Sequence, residues 1–137
     1  FGRKDAQQAR VIEQMTRDLN FPVEIILGPI IRERDGLAMS SRNAYLSASE
    51  RVRACGLYKS LCAAEHLFRD GVRNTAEVVR EIKRVLEEDA RPETIEYVEA
   101  VDYVTLKPVD VVRDVTLIAM AVRIGNTRLI DNIILPQ

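Results

Sequence analysis

The chain has 137 residues, 47% hydrophobic and 30% charged, ordinary proportions for a globular protein of one domain or parts of two. Twenty basic residues against twenty-one acidic ones give a formal charge of −1 with no block of like charge, which argues against nucleic acid or an anionic membrane surface as a partner. No apolar run approaches the roughly 20 residues of a membrane span and no secretory signal opens the sequence, so a cytoplasmic protein is expected.

The chain opens on Phe1-Gly2-Arg3-Lys4-Asp5-Ala6-Gln7-Gln8. A glycine at the mouth of a helix usually follows a strand, and no strand precedes this one. From Asp5 the spacing predicts a helix with Ile12, Met15 and Leu19 on one stripe, Val11 beside it, and charged or amide residues opposite. Asn20 to Pro22 ends it, because proline cannot continue a helix and biases its predecessor away from helical angles. Val23-Glu24-Ile25-Ile26-Leu27 is nearly continuous in apolar character, as in a buried parallel strand, and Gly28-Pro29 stops it. A helix and one buried strand are half of an α/β crossover.

Next comes Asp35-Gly36-Leu37-Ala38-Met39-Ser40-Ser41-Arg42-Asn43, entered through an Asp-Gly turn signal. Two hydroxyls followed by a guanidinium offer donors to an anion with several oxygens, and arginine binds phosphate in a planar, bidentate way. The stretch reads either as a phosphate-gripping loop or as a polar turn before a helix. Ser47-Ala48-Ser49-Glu50 is a capping box. The helix it opens carries Leu57, Leu61, Ala64 and Phe68 at helical spacing, with Gly56 marking a bend and Asp70-Gly71 its end. Cys55 and Cys62, seven apart on that helix, are about 10 Å apart along its axis, too far for a disulfide. With His66 the only histidine, a structural zinc site is not expected, and His66 itself reads as a partly buried packing residue. Asn74-Thr75-Ala76-Glu77 is a second capping box, opening a helix with the stripe Val78, Ile82, Val85 and Leu86. Glu87-Glu88-Asp89 is its solvated end, and Arg91-Pro92 closes it.

Three strands complete the chain. Thr94 to Val101 has strand composition, with Ile95 and Tyr97 expected on one face; Lys107-Pro108 lies in a loop. Val115 to Val122 is an apolar strand, Gly125-Asn126 a turn, and Thr127 to Leu135 the return strand. The fold class that follows is an α/β remnant and then a small α+β domain with an antiparallel sheet covered by two helices, the boundary falling near residues 28 to 36.

Candidate chemistry concentrates at the two polar clusters. Lys4 is a point charge suited to phosphate, Gly2 permits close backbone approach, and Asp5 either accepts from a ribose hydroxyl or caps the helix. Gln7 and Gln8 either meet a polar substrate or form ordinary helix surface. The polar groups of Thr127-Arg128-Leu129-Ile130-Asp131-Asn132 read as serving structure rather than catalysis.

In combination, Phe1-Gly2-x-Lys4-Asp5-x-Gln7-Gln8, the Asp35–Asn43 stretch with Tyr45-Leu46-Ser47 and Glu50-Arg51, and Thr127–Asn132 closely resemble the pantothenate synthetase (pantoate–β-alanine ligase) family of the nucleotidylyltransferase superfamily. The resemblance runs from the first residue nearly to the last. It implies an ATP- and Mg²⁺-dependent ligase in which pantoate attacks the α-phosphate of ATP to give pantoyl adenylate, from which the amine of β-alanine displaces AMP. It assigns Lys4, Ser40, Ser41 and Arg42 to the ATP phosphates and their catalysis, Gly2 and Asp5 to the ribose, Ile31 and Met39 to the adenine, and Gln8 to pantoate, with no metal ligand in this chain. The Met-Ser-Ser-Arg run then plays the part of the Lys-Met-Ser-Lys-Ser loop of class I aminoacyl-tRNA synthetases. Ala6 departs from the aromatic residue often found there, and the family's His-x-Gly-His signature is absent.

The resemblance therefore implies the C-terminal portion of the enzyme: residues 1–31 as the end of a Rossmann-like ATP-binding domain and 32–137 as the C-terminal lid. Such a portion is expected to be inactive alone, and the complete enzyme to be a homodimer. The alternatives are a non-catalytic binding module derived from the lid, or a nucleotidylyltransferase relative with another acid substrate.

Overall fold

Helix α1 spans Ala6–Asp18 and ends where Asn20 turns into the left-handed region at φ 52°, two residues before Pro22. A computed structural model describes residues 1–113 and 115–135. The face that α1 buries is not its apolar stripe. Ala6, Ala9, Arg10 and Thr16 are buried, whereas Val11, Met15 and Leu19 are exposed, Met15 at 45%. The small side chain of Ala6 lets the helix start approach a sheet face closely. Arg10 secures it, donating from Nε to the Val104 carbonyl at 2.9 Å.

Residues 23–27, expected as a strand, form none. Val23 is exposed, and Ile26 is 70% exposed. Apolar composition favours a strand, but a strand exists only through a paired neighbour. Among the described residues the pairing here is confined to the chain's first residues. The Phe1 ammonium donates to Ile26 O at 2.8 Å, Gly28 N–H to Phe1 O at 2.8 Å and Arg3 N–H to Gly28 O at 2.9 Å, around an isolated parallel bridge between Gly2 and Gly28.

The capping box at Ser47 is reciprocal: Ser47 Oγ accepts from the Glu50 N–H at 3.3 Å and Glu50 Oε2 accepts from the Ser47 N–H at 2.8 Å. The helix it opens breaks into α2 (Ala48–Ala54) and α3 (Gly56–Arg69), as the glycine suggested. A Cβ on Gly56 would lie 2.7 Å from Ala90 N and 2.8 Å from Ala90 Cβ, so only glycine lets α3 pass this close to the turn that follows α4. Helix α4 (Thr75–Val85) starts with Asn74 accepting from the Glu77 N–H at 3.1 Å. It loosens into a π-turn over Leu86–Ala90 and stops at Arg91, φ 44°, before Pro92. Glu87, Glu88 and Asp89 are exposed there, as expected. His66 is also exposed, which corrects its reading as a packing residue: it falls between the buried positions Leu61 and Ala64 and the end of α3. Cys55 and Cys62 are free thiols.

Strands β1 (Thr94–Asp102), β2 (Thr116–Ile124) and β3 (Thr127–Leu135) make an antiparallel sheet in sequence order. Gly125, at φ +56°, takes the first position of the two-residue turn between β2 and β3. Ile95 and Tyr97 do not share a face. The register passes from Ile95↔Val122 to Tyr97↔Ala121, so Glu96 is an extra residue, a bulge that resets the alternation. Ile95 consequently joins the main core and Tyr97 the opposite face.

That main core lies between the sheet and α2–α4, where Leu57, Leu61, Ile82 and Leu86 meet Ile118, Met120 and Val122. Each such side chain contributes roughly 1.5–3 kcal/mol on burial. The other face of the sheet carries a smaller cluster in which Ala6 of α1 packs with Val101, Leu117 and Ala119. Cover on both faces accounts for the unbroken apolar character of β2.

Candidate functional site

The two polar clusters, about 35 residues apart in sequence, meet at the edge strand β3. Residues Arg3–Asp5 form a single 3₁₀ turn ahead of α1. Its carbonyls are held from below by Asn132, whose Nδ2 donates to Arg3 O at 2.9 Å and to Lys4 O at 2.8 Å. The Lys4 side chain reaches the second cluster, with Nζ 3.5 Å from the Met39 carbonyl. Burial, the largest influence, holds the Lys4 ammonium below its ordinary pKa of 10.5; Asp131 and then Asp5 oppose that, and Arg42 and Arg32 add to the lowering. Lys4 thus sits half-buried on a cationic rim.

Residues 31–39 form a tight hairpin. Met39 N–H donates to Ile31 O at 2.9 Å, Glu33 N–H to Leu37 O at 2.8 Å, and Arg32 bridges Ala38 antiparallel. The pairing sets Ile31 and Met39 directly opposite each other, both exposed, on one face of the hairpin. Gly36 turns the hairpin at φ +90° beneath the Tyr58 ring. Arg51 of α2 clamps the turn, donating to both Glu33 and Asp35, and those bonds help to hold both carboxyls below their usual range. For Glu33 the hydrogen bond from Asn43 is the larger cause; for Asp35 it is the bond from the Leu37 N–H.

Ser40 follows as the N-cap of a 3₁₀ turn over Ser41–Tyr45, its Oγ accepting from the Arg42 N–H at 3.2 Å. Asn43, buried beneath, donates to Glu33 Oε1 at 3.0 Å and Ala38 O at 3.1 Å. The loop is therefore braced from inside while Ser41 and Arg42 face outward. Among the described residues the Arg42 guanidinium has no ion-pair partner.

On the other side of Lys4 a pocket of about 240 Å³ is lined by Asp5, Gln8, Tyr97, Arg128, Asp131 and Asn132 among others. Asp5 stands at the N-cap position of α1 but makes no capping hydrogen bond, which corrects its reading as a cap and leaves the exposed carboxylate toward this pocket. Gln8 is exposed on the pocket wall, and Gln7 half-buried. No protein atom comes within 4 Å of where a Cβ on Gly2 would lie, so its backbone face is bare. An arrangement of one ammonium, one guanidinium and two hydroxyls around a shared rim is suited to a polyanion.

Sequence reasoning missed Arg32, Tyr97 and Arg128. Arg32 pairs bidentately with the buried Asp131, Nη1 to Oδ2 at 2.6 Å and Nη2 to Oδ1 at 3.0 Å, and lies 4.1 Å over the Tyr58 ring. One signal was available: Asp131 stands between Leu129 and Ile133 at a core-facing position of β3, where a carboxylate requires a partner. Among the described residues no group of three or more His, Cys, Asp or Glu could hold a metal ion.

A family model described as pantoate-beta-alanine ligase matches residues 1–134. A pantothenate synthetase of Sulfurihydrogenibium sp. is 49% identical over 133 residues, covering 97% of this chain and 48% of that protein. One of Pseudothermotoga lettingae is 50% identical over 137 residues, 100% of this chain and 48% of that protein. The crystal structure of pantothenate synthetase from Thermus thermophilus superposes with a TM-score of 0.91 at 39% identity, over 97% of this chain and 48% of that one. That of a pantoate-beta-alanine ligase from Francisella tularensis, complexed with beta-gamma ATP and beta-alanine, gives a TM-score of 0.64 at 26% identity, over 97% and 41%. The chain spans about half the length of the curated relatives it matches.

Proposed function

This chain belongs to the pantoate–β-alanine ligase family, and we propose that it supplies the C-terminal portion of an enzyme joining pantoate to β-alanine at the expense of ATP. The observation that carries this reading is the convergence of Lys4 with the Ser40-Ser41-Arg42 loop, Nζ lying 3.5 Å from the carbonyl that precedes Ser40. In the first step a pantoate carboxylate oxygen attacks the α-phosphorus, the bond to the bridging oxygen breaks, and pyrophosphate leaves. In the second the β-alanine amine attacks the acyl carbon, the acyl–phosphate bond breaks, and AMP leaves with the electron pair while the amine loses a proton.

Lys4, Arg42 and the Ser40 and Ser41 hydroxyls are the donors to the charge that accumulates as pyrophosphate departs. Electrostatic clamping and positioning are the main means by which such transfers are accelerated. Gly2 and Asp5 are assigned to the ribose, the exposed Ile31–Met39 pair to the adenine, and Gln8 to pantoate. The 240 Å³ pocket beside Gln8, walled by Tyr97 and Arg128, supports that last assignment. Mg²⁺ is expected on the triphosphate oxygens, since these residues offer no cage of their own and magnesium is commonly bound through substrate phosphates. Residues 1–31 go with the ATP-binding domain and 32–137 form the lid. A cytoplasmic homodimer is the proposed form of the complete enzyme.

The test joins this chain to the N-terminal portion of the Thermus thermophilus enzyme and follows AMP release. Release that requires both pantoate and β-alanine, with no release from the 137-residue chain alone, is expected. A folded but inactive hybrid would favour a non-catalytic binding module, and turnover by the chain alone would overturn its reading as a portion of the site.

A further inference from the structure

Two consecutive residues of β3 are polar and almost wholly buried: Asp131 is 2% exposed and Asn132 4%. Neighbours on a strand point to opposite faces, so the two serve different sides of the sheet. Asp131 has the parity of Leu129 and Ile133 and meets the helical side, where both its oxygens are taken by Arg32 at the base of the 31–39 hairpin. Asn132 has the parity of Ile134 and meets the α1 side, where both hydrogens of its amide nitrogen are taken by the carbonyls of Arg3 and Lys4. The two are also joined to each other, Asn132 N–H donating to Asp131 Oδ1 at 2.9 Å.

Neither residue contributes to the apolar core, and burying a carboxylate and a primary amide in a strand is costly unless every bond is made. Here both carboxylate oxygens of Asp131 and both amide hydrogens of Asn132 are engaged, and each set ends on a segment that bears one half of the cationic rim. The hairpin that Asp131 holds runs directly into Ser40, Ser41 and Arg42, and the turn that Asn132 holds carries Lys4. Beyond these bonds the two segments are tied by the Gly2–Gly28 bridge, where Arg3 N–H donates to Gly28 O at 2.9 Å three residues ahead of the hairpin. They are also tied by the long Lys4 Nζ to Met39 O contact of 3.5 Å, so the side chains themselves meet only loosely.

The geometry points to Asp131 and Asn132 as positioning residues, a two-sided bracket on the edge strand that fixes the separation between Lys4 and the Ser40–Arg42 loop. Arg32 is the bracket's arm on the hairpin side, steadied by its stacking on Tyr58 and by a bond from Nη1 to Gly36 O at 3.2 Å. A rim set in advance meets a polyanion without reorganising, and small misplacements of such groups are expensive. The catalytic consequence rests on the ligase reading above; the bracket itself does not.

The experiment measures electron–electron distances in the 137-residue chain between spin labels at Gln7 and Ala44, with Cys55 and Cys62 replaced by serine. Labelled chain is diluted into excess unlabelled chain so that only intramolecular distances are read, and a label pair at Arg69 and Arg80 on α3 and α4 is the control. The parent should give one narrow distance. Asn132→Ala and Asp131→Asn should each broaden it while the control pair stays narrow. Arg128→Gln, which breaks a surface ion pair on the same strand, should change neither. If Asp131→Asn does not fold, Arg32→Lys keeps the charge, removes the second arm and carries the same expectation. A narrow, unshifted Gln7–Ala44 distance in Asn132→Ala and in the Asp131 or Arg32 variant overturns the bracket, as does broadening shared equally by the control pair. An inactive Thermus hybrid with the distance broadening intact would overturn the ligase reading alone.

Discussion

Gly36→Ala should weaken the hairpin that presents Ser40–Arg42, and the structure says by how much. At φ +90° an L-residue is strained, by about 1–2 kcal/mol. The new Cβ would also lie 2.4 Å from Tyr58 Cδ1. Tyr58 is 37% exposed, so its ring can swing outward instead of enforcing a full overpacking penalty, but it then leaves the Arg32 guanidinium, 4.1 Å from its centroid. Losing that stacking costs about 0.5–1 kcal/mol. The sum is about 1.5–3 kcal/mol, with backbone strain the larger share. At about 4 °C per kcal/mol for a chain of this length, urea titration and thermal unfolding should both resolve it. Tyr58→Leu serves as the partner in a double-mutant cycle: in its presence Gly36→Ala should retain the strain and lose the ring contribution. Exchange of the Met39 amide, bonded to Ile31 O, should accelerate in Gly36→Ala. A variant within about 0.5 kcal/mol of the parent, with Met39 protection unchanged, would refute the reasoning.

Lys4→Met should stabilise the free chain near neutral pH. An ammonium whose folded pKa lies below its ordinary 10.5 costs stability at every pH below the folded value, and the cost fades as pH rises through that value toward 10.5. The stability gap between Lys4→Met and the parent should accordingly narrow as alkaline pH is approached; a gap independent of pH counts against the burial argument. In the active hybrid, Arg42→Ala should slow pantoyl adenylate formation by about 2.7–4 kcal/mol, the range for removing one donor to a developing oxyanion, whereas His66→Gln should leave it unchanged. Equal single-turnover rates in the parent and Arg42→Ala would remove Arg42 from the site. The chain by itself should self-associate through Val11, Met15 and Leu19 of α1 with Phe21, Val23 and Ile26, since even half the usual 1.5–3 kcal/mol for each side chain is a substantial drive. Met15→Glu should lower the mass seen by light scattering, and a monomeric parent would show this expectation wrong.

Local chemistry was legible in the sequence wherever a few adjacent residues decide the outcome. Ser47 and Glu50 satisfy each other's backbone donors within one turn, Gly125 turns a two-residue hairpin, and the stripes Leu57–Leu61–Ala64 and Val78–Ile82 repeat at the helical period and are buried. The likeness to the ligase family was legible in the combination and separation of three stretches, the one around Lys4-Asp5, the one from Asp35 to Asn43 and the one from Thr127 to Asn132, because order and spacing along the chain are properties of the sequence itself.

Partnership was decided only in three dimensions. Val23–Leu27 has the composition of a strand, yet a ladder needs a neighbour, and among the described residues the neighbour is only the chain's first residues. The stripe on α1 is amphipathic by spacing, but Ala6 packs on the sheet, where a small side chain allows close approach, and the stripe is left exposed. Glu96 bulges out of β1 and sends Ile95 and Tyr97 to opposite faces, an insertion that period-two counting cannot register. Arg32 and Asp131 lie 99 positions apart in the chain, and each is an ordinary charged residue until the fold brings them to 2.6 Å. Sequence determines what a residue can do with its immediate neighbours; which distant group it meets is fixed by the tertiary structure, because a buried charge or a paired edge takes its energy from a partner that spacing does not reveal.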